Sequence, residues 1–298
     1  MNKTISFFQI FHNGDLFVSK EYVRDVIHSL PQFKFKYYHN NHPKALLDID
    51  ATYAGSPDGL FDKRTPFGNI NDEFFINTWL GVYNKKHINF DKLHAAWEQI
   101  YSELNRKYNV NLVLKDKHHY IGHINFEKFN LSNITNFISS NTNKLILISN
   151  GPAMSKQSFG DNMKNIIECL ARKHLDIKFI CTTKFETIVA NILFTDDIIV
   201  DDQFHLEAAP EWGLKKCDLN EISYLSQHCD IIVGKNSGPF IFTLTKHNLL
   251  HNKKIFISLN TREEDSLAWN MKLLSEYRWS DDFNEQSILT LIEKAIND

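Results

Sequence analysis

Twice in this chain an apolar run of strand-forming residues stops at a polar, glycine-bearing turn, and a segment with helical spacing follows. The first instance is "SFFQIFHNGDLFVSKEYVRDVIHSLP" (Ser6–Pro31); the second is "KLILISNGP" (Lys144–Pro152), with helical spacing over Asp161–His174. A strand that feeds a crossover helix and then another strand must pair in parallel, because antiparallel neighbours need only a short hairpin. In the first instance the strand is Ile5–Phe11. Apolar positions at Leu16, Tyr22, Val23, Val26, Ile27 and Leu30 set a helix that starts at Asp15 and ends before Pro31. "FKFKYY" (Phe33–Tyr38) alternates as the returning strand.

The rest of the pattern agrees with this plan. His42–Leu47 reads as a short helix, residues 52–72 as a long loop rich in Gly, Pro and Asp, Glu73–Tyr83 as a strand and Phe90–Tyr108 as a helix. Asn130–Lys144 is polar and poorly patterned beyond one short helix, so a boundary is expected near Thr142, giving domains 1–141 and 142–298. The second half offers strands at Ile177–Thr183, Asp197–Val200, Asp230–Pro239 (running into a turn) and Lys253–Leu259. Its helices are expected at Leu219–Cys229, Ser266–Tyr277 and Glu285–Ile296. The expected fold class is α/β, with two doubly wound Rossmann-like domains. Ligands of such sheets bind at the carboxyl ends of strands. The candidate positions are therefore Asn13–Asp15, Asn150–Lys156, Thr182–Glu186 and Lys235–Pro239.

Composition narrows the function. The 298 residues are 43% apolar and include 23 Phe, enough for packed cores. With 33 Lys and Arg against 36 Asp and Glu, the net charge of −3 argues against a dedicated nucleic-acid binder. Cys169, Cys181, Cys217 and Cys229 show no CxxC spacing and read as buried, reduced thiols of a cytoplasmic chain. The N-terminus lacks the marks of a signal peptide, and no stretch approaches the roughly 18 apolar residues of a transmembrane helix. Any membrane contact is expected to be peripheral, at the inner face.

Several motifs are absent or ambiguous. "HNGDLF" has one glycine where a dinucleotide site has G-x-G-x-x-G, and no P-loop pattern occurs. "GKNSGPF" (Gly234–Phe240) reads either as an ordinary strand–helix turn or as a diphosphate site of backbone N–H groups. Asp15 reads as a helix cap, as an ionised carboxylate able to accept a hydroxyl proton, or as both. Gly14 is expected to turn the chain sharply off the strand and let a substrate approach. His12 either contacts an acceptor or caps the strand. His118, His119 and His123 lack partner cysteines and read as surface or acceptor-facing, so no metal site is expected. The Asp196–Asp197 and Asp201–Asp202 pairs read as turns, Arg24 as solvent-facing, Phe74–Trp79 as core, and Trp212 as a loop anchor or a stacking platform.

The order of these motifs resembles the lipopolysaccharide heptosyltransferase family of GT-B glycosyltransferases. The features that carry the resemblance are Gly14-Asp15 after the first strand, "SNGPAMSK" (Ser149–Lys156) at mid-chain, and Ser237-Gly238-Pro239 near the end. The resemblance implies a GT-B fold with an interdomain cleft. It also implies transfer of a sugar from a nucleotide-diphosphate donor to a hydroxyl of a glycan or glycolipid, without metal or bound cofactor, as a step in cell-surface glycan biosynthesis. In its terms Asp15 is the catalytic base, flanked on the acceptor side by His12, Asn13 and Gly14. Asn150, Lys156, Glu186, Asn236, Ser237, Gly238 and Pro239 hold the donor, with Lys156 on the phosphates. Two positions depart from the family pattern, which has aspartate where Asn236 stands and histidine where Ile241 stands. The alternatives are a catalytically degenerate nucleotide- or sugar-binding protein and a GT-B-fold sugar-nucleotide isomerase.

Overall fold

The structure is a computed structural model that describes residues 3–62, 64–83, 89–151, 162–199, 217–235, 237–263, 266, 268 and 270–298. The described residues form two compact units. The first holds 3–123 with Cys217; the second holds 124–199 and 218–298.

In the first unit, β1 (Thr4–Gln9) leads into α1 (Asn13–Ser29) and β2 (Lys34–His39). A 3-10 turn (Pro43–Leu46), β3 (Thr52–Tyr53), β4 (Phe67–Ile70), β5 (Glu73–Asn77) and α2 (Phe90–Tyr108) follow. The strand order is β3-β2-β1-β5-β4. β1 pairs in parallel with both β2 and β5, as the strand–helix–strand spacing predicts. Ile5 and Phe7 are fully buried because β1 is central. α2 begins on the Asn89 side chain, which accepts from the Lys92 N–H at 3.0 Å, and stops at Asn109, whose φ of 51° ends the helix.

The second unit opens with α3 (Ser132–Ser140), then β6 (Lys144–Ser149), α4 (Asn162–Lys173), β7 (Ile177–Cys181), β8 (Ile192–Phe194), α5 (Thr195–Ile198) and α6 (Leu219–Ser226). It continues with β9 (Ile231–Gly234), α7 (Gly238–Ile241), β10 (Ile255–Leu259), β11 (Glu276–Ser280) and α8 (Glu285–Asn297). Its six strands run β11-β10-β9-β6-β7-β8, all in parallel. This is the doubly wound order in which the chain reverses direction between its first and fourth strands, here β6 and β9. The segment ahead of β6 joins this unit because Phe126 packs edge-on to Tyr224 (5.1 Å between centroids) and α3 packs on α5. The units thus part at His123/Ile124, upstream of the boundary expected near Thr142.

Several sequence expectations are corrected. The loop over 52–72 contains β3 and β4, and β4 forms an antiparallel hairpin with β5 through Asn71-Asp72, Asn71 taking a φ of 52°. The Glu73–Tyr83 strand ends at Asn77 and a 3-10 turn follows. The strand expected at Asp197–Val200 is helical to Ile198, and the strand itself lies earlier, at β8. The helix expected over Ser266–Tyr277 is replaced by edge strand β11, where Arg278 pairs with Glu276 and Asp298 at 2.6 Å each. Cys181, Cys217 and Cys229 are buried free thiols, whereas Cys169 is exposed on α4.

Arg24 is not solvent-facing. It sits in a charge cluster on α1 in which Lys20, fully buried, reaches Asp48 Oδ1 at 2.5 Å, while Arg24 reaches Asp48 Oδ2 at 2.9 Å and also pairs with Glu21. Burial pushes the Lys20 pKa down, and Asp48 opposes that shift. Removing one partner from such a cluster leaves a buried charge uncompensated, which costs about 3–5 kcal/mol. Asp48→Ala is therefore expected to lose about that much in chemical denaturation, and Lys20→Met distinctly less. Equal losses in the two variants would contradict this account.

Candidate functional site

The first unit gathers polar groups where β1 ends. Gln9, fully buried, holds the turn by donating from Nε2 to the His12 carbonyl at 3.0 Å. His12 is extended (φ −96°, ψ 161°) and exposed, and it is the residue that caps α1. Asn13, Gly14 and Asp15 form the first turn of that helix. Gly14 does not make the turn: among the described glycines only Gly55 and Gly59 have positive φ, and the chain leaves the strand at Phe11–His12. The amide oxygen of Asn13 is buried without a hydrogen-bond partner. Across the point where the strand order reverses, Thr78 follows β5. Its N–H donates to the Phe8 carbonyl at 3.0 Å, and its hydroxyl lies 2.7 Å from that of Tyr37.

Asp15 is not the cap residue. It is the third residue of α1, and its Oδ2 accepts from the His12 N–H at 3.4 Å, a long contact beside the usual 2.7–3.2 Å. Burial pushes its pKa up from 3.8 to about 6, while His12 and the N–H groups of His12 and Asp15 pull it back in part. Burial likewise raises Tyr37 to about 12, and the Asp15 charge adds to that shift.

The second unit does the same at the reversal between β6 and β9. Ser149, the last residue of β6, and Ser237, beyond β9, have hydroxyl oxygens 2.8 Å apart. Asn150 clips the neighbouring edge: it donates to the Thr183 carbonyl at 2.8 Å and accepts from the Thr183 N–H at 2.9 Å. Gly234 must be small here, since a Cβ would lie 2.8 Å from both Ser149 Cβ and the Phe240 ring. The Thr182 hydroxyl, at the end of β7, is buried without a partner. Lys235 is 2% exposed at the end of β9, and burial pushes its pKa down to about 8.

Ser237 caps α7, whose single turn begins with the half-buried Gly238 and Pro239. A helix this short carries little dipole, and Pro239 has no N–H to offer. Ile241 is 4% exposed and faces the core. Glu186 is exposed in the β7–β8 connection. Lys156, Asn236, Trp212 and the Asp201–Asp202 pair lie outside the described residues. The sequence reading missed Ser149, Tyr37 and Thr78, whereas Thr183 lies in the Thr182–Glu186 stretch it singled out. A serine closing the apolar run "KLILIS" was the available signal for Ser149, while the other two become visible only through strand order.

Among the described residues no group of three His, Cys, Asp or Glu is placed to hold a metal ion. The three histidines diverge: His118 Nδ1 meets Asp116 at 2.6 Å, the His119 ring packs against Tyr120, and the His123 N–H donates to Glu21. Among the described residues no helix is long and apolar enough to cross a membrane.

Two consecutive Rossmann-like units, each with polar residues gathered where its strand order reverses, define the GT-B class of fold. No family model matches the sequence, and no curated protein is significantly similar to it. Among solved structures, E. coli heptosyltransferase WaaC with ADP aligns over 98% of this chain and 99% of its own, with a TM-score of 0.50 and 9% identity. The same enzyme with ADP-2-deoxy-2-fluoro heptose gives the same figures. E. coli ADP-heptose lps heptosyltransferase II aligns over 99% and 98%, with a TM-score of 0.48 and 11% identity. The fold of this chain is that of WaaC, as the sequence motifs led one to expect.

The raised pKa of Asp15 has a consequence for stability. The folded state holds this proton more tightly than the unfolded chain, so the contribution is present below about pH 4 and is lost as pH rises through about 6. Asp15→Asn keeps a hydrogen-bond acceptor and removes the buried charge. It is expected to be more stable than wild type at pH 7.5, with the difference closing as pH falls to 4 in urea titrations. A variant less stable at pH 7.5 would make Asp15 simply a helix-capping group.

Proposed function

We propose that this chain is a glycosyltransferase that moves a hexosyl- or heptosyl-type sugar from a nucleotide-diphosphate donor to a hydroxyl of a glycan or glycolipid. The observation that carries this reading is Asp15. A carboxylate of pKa about 6, in the first turn of the helix after the first strand, is still mostly ionised at neutral pH yet basic enough to take a proton. In the reaction the acceptor O–H gives its proton to Asp15, and the acceptor oxygen bonds to the anomeric carbon. The bond from that carbon to the diphosphate oxygen then breaks, and the nucleoside diphosphate leaves.

Several residues take roles in this reading. His12, Asn13 and Gly14 border the acceptor, and the second unit holds the donor at the β6–β9 reversal through Asn150, Ser237, Gly238 and Pro239. Lys156, Glu186 and Asn236 keep the donor roles that the family resemblance implies. Lys235, held at the same strand edge, adds a cation for the leaving diphosphate. No metal is needed where lysines and backbone N–H groups neutralise the leaving group. The fold shared with WaaC, a heptosyltransferase solved with ADP, supports the donor class. The chain would act at the cytoplasmic face of the membrane, in cell-surface glycan biosynthesis.

Ile241 favours a second reading. Because its side chain is part of the core, that position offers a ligand nothing polar, and a protein that binds donors without turning them over fits the same geometry.

Thermal shift against ADP-, GDP-, UDP- and CMP-linked sugars, followed by donor-consumption assays, separates these readings. One nucleotide class is expected to stabilise the protein, by about 2.7 kcal/mol at a hundredfold excess over Kd. Asp15→Asn should keep that shift and lose ~10²–10⁴ in turnover, and wild-type kcat/KM should rise with pH through about 6. Lys235→Gln should weaken nucleotide binding by about tenfold. A shift without turnover selects the binding protein, and no shift with any nucleotide rejects both readings.

A further inference from the structure

A cavity of about 150 Å³ lies beside the Asp15 turn, wholly within the first unit, and neither the proposed chemistry nor the fold comparison gives it a role. It opens between the end of β2, the 3-10 turn Pro43–Leu46 and β3. Tyr37, His39, Leu46, Ile49, Ala51 and Tyr53 are among its lining residues. Most of the wall is hydrocarbon or aromatic ring. Tyr53, 41% exposed, stands at the outer side with its ring 4.9 Å from the His39 ring.

The exception is His39. It is 1% exposed, and its Nδ1 has no hydrogen-bond partner. A buried polar atom left unpaired costs free energy that a ligand can recover. Water is a poor occupant. An ordered water needs two to four polar partners, and both hydroxyls of the wall are engaged: the Tyr37 hydroxyl with Thr78 and Ser19, and the Tyr53 hydroxyl with the His39 carbonyl. An apolar cavity near this volume takes a single six-membered ring.

The cavity is tied to the Asp15 turn by two bridges. Asn41 Nδ2 donates to the Phe11 carbonyl at 3.0 Å. Ser19, whose hydroxyl donates to the Asp15 carbonyl at 2.9 Å, also lies 3.5 Å from the Tyr37 hydroxyl.

We propose that this cavity binds an apolar ring bearing a hydroxyl, with the ring against Leu46, Ile49 and Tyr37 and the hydroxyl on His39 Nδ1, and that it seats such a group of the acceptor. A hydroxyl satisfies either tautomer of the imidazole, because it both donates and accepts. Ring binding follows from the cavity alone, whereas its assignment to an acceptor rests on the glycosyl-transfer reading.

Phenol and toluene, matched in size and differing in the hydroxyl, are the probes, titrated against the full-length protein with affinities read by NMR shift perturbation. Phenol is expected to bind wild type. His39→Leu should lower the phenol-to-toluene affinity ratio by about tenfold while still binding toluene. Ala51→Phe, at a half-exposed position of the wall, should abolish binding of both. The nucleotide response of both variants should match wild type, which shows that each is folded. Failure of both probes to bind wild type, an unchanged ratio in His39→Leu, or undiminished binding to Ala51→Phe would each overturn the proposal. Nucleotide binding without ring binding removes the cavity's role and spares the transferase reading. Ring binding without nucleotide binding removes the acceptor assignment and spares the ring site.

Discussion

Parallel strands cannot be joined by a hairpin, and every other feature of this chain follows from that constraint. Each crossover must return the chain to the same end of the sheet, so all strands of a parallel sheet finish along one edge. Where the order reverses, at β1/β5 and at β6/β9, successive crossovers leave on opposite faces and the edge between them is left open. The sheet interior is apolar up to that line. Ile146, Ile148, Ile231 and Val233 are all essentially buried, and the chain then changes character to Ser149 and Asn150, and to Lys235, within one or two residues. In the first unit Phe7 and Phe8 give way to Gln9, and Ile76 to Asn77 and Thr78. Buried polar groups of this kind persist only with partners, and the Ser149–Ser237, Asn150–Thr183 and Tyr37–Thr78 contacts supply them.

Asp15 departs from this economy. At the third position of a helix its carboxylate reaches back to the N–H of His12, but the contact is long, and burial outweighs it in setting the pKa. At the third helical position a carboxylate completes a capping box with the residue at the cap. That place is taken by His12. The carboxylate thus has backbone donors, yet burial outweighs them and raises its affinity for a proton.

Much of this architecture was legible in the sequence. Phe90–Tyr108 was read at its observed limits, and the strands and helices around both glycine-bearing turns were found with the correct parallel pairing. The losses concentrate at sheet edges. β4 (Phe67–Ile70) and β11 (Glu276–Ser280) each have one neighbour, so one side of each is free of the packing that writes an apolar pattern. β11 can therefore carry Glu276 and Arg278, and its first two residues read as the end of a helix. β4 contains Gly68, where a Cβ would strike the Phe61 ring, so the glycine that suggested a loop is there for packing. The Asn71-Asp72 turn that joins β4 to β5 lies within the stretch read as one long loop. At the site, Asp15 was found from its place after a strand, but its raised pKa was not foreseeable. The sequence says that a helix N-terminus favours the ionised form, whereas burial, which acts in the opposite sense, depends on residues such as Tyr37 and Thr78 arriving from other strands.

The same force acts on three ionisable groups at these strand edges. Desolvation drives Asp15 up to about 6, His39 down to about 4 and Lys235 down to about 8, each toward its neutral form near physiological pH. Among the described residues neither Asp15 nor His39 makes an ion pair of the kind that Lys20 and Arg24 make with Asp48 a few residues along the same helix as Asp15. The contrast separates two uses of buried charge in one fold. Lys20, Arg24 and Asp48 are matched to each other and hold α1 against the chain that follows β2. His39, by contrast, is buried at the end of β2 with its Nδ1 unpaired, and Asp15, half-buried in the first turn of α1, meets a long contact from the His12 N–H. A buried polar group left unpaired lowers the stability of a folded protein, and a hydrogen bond from any partner restores it.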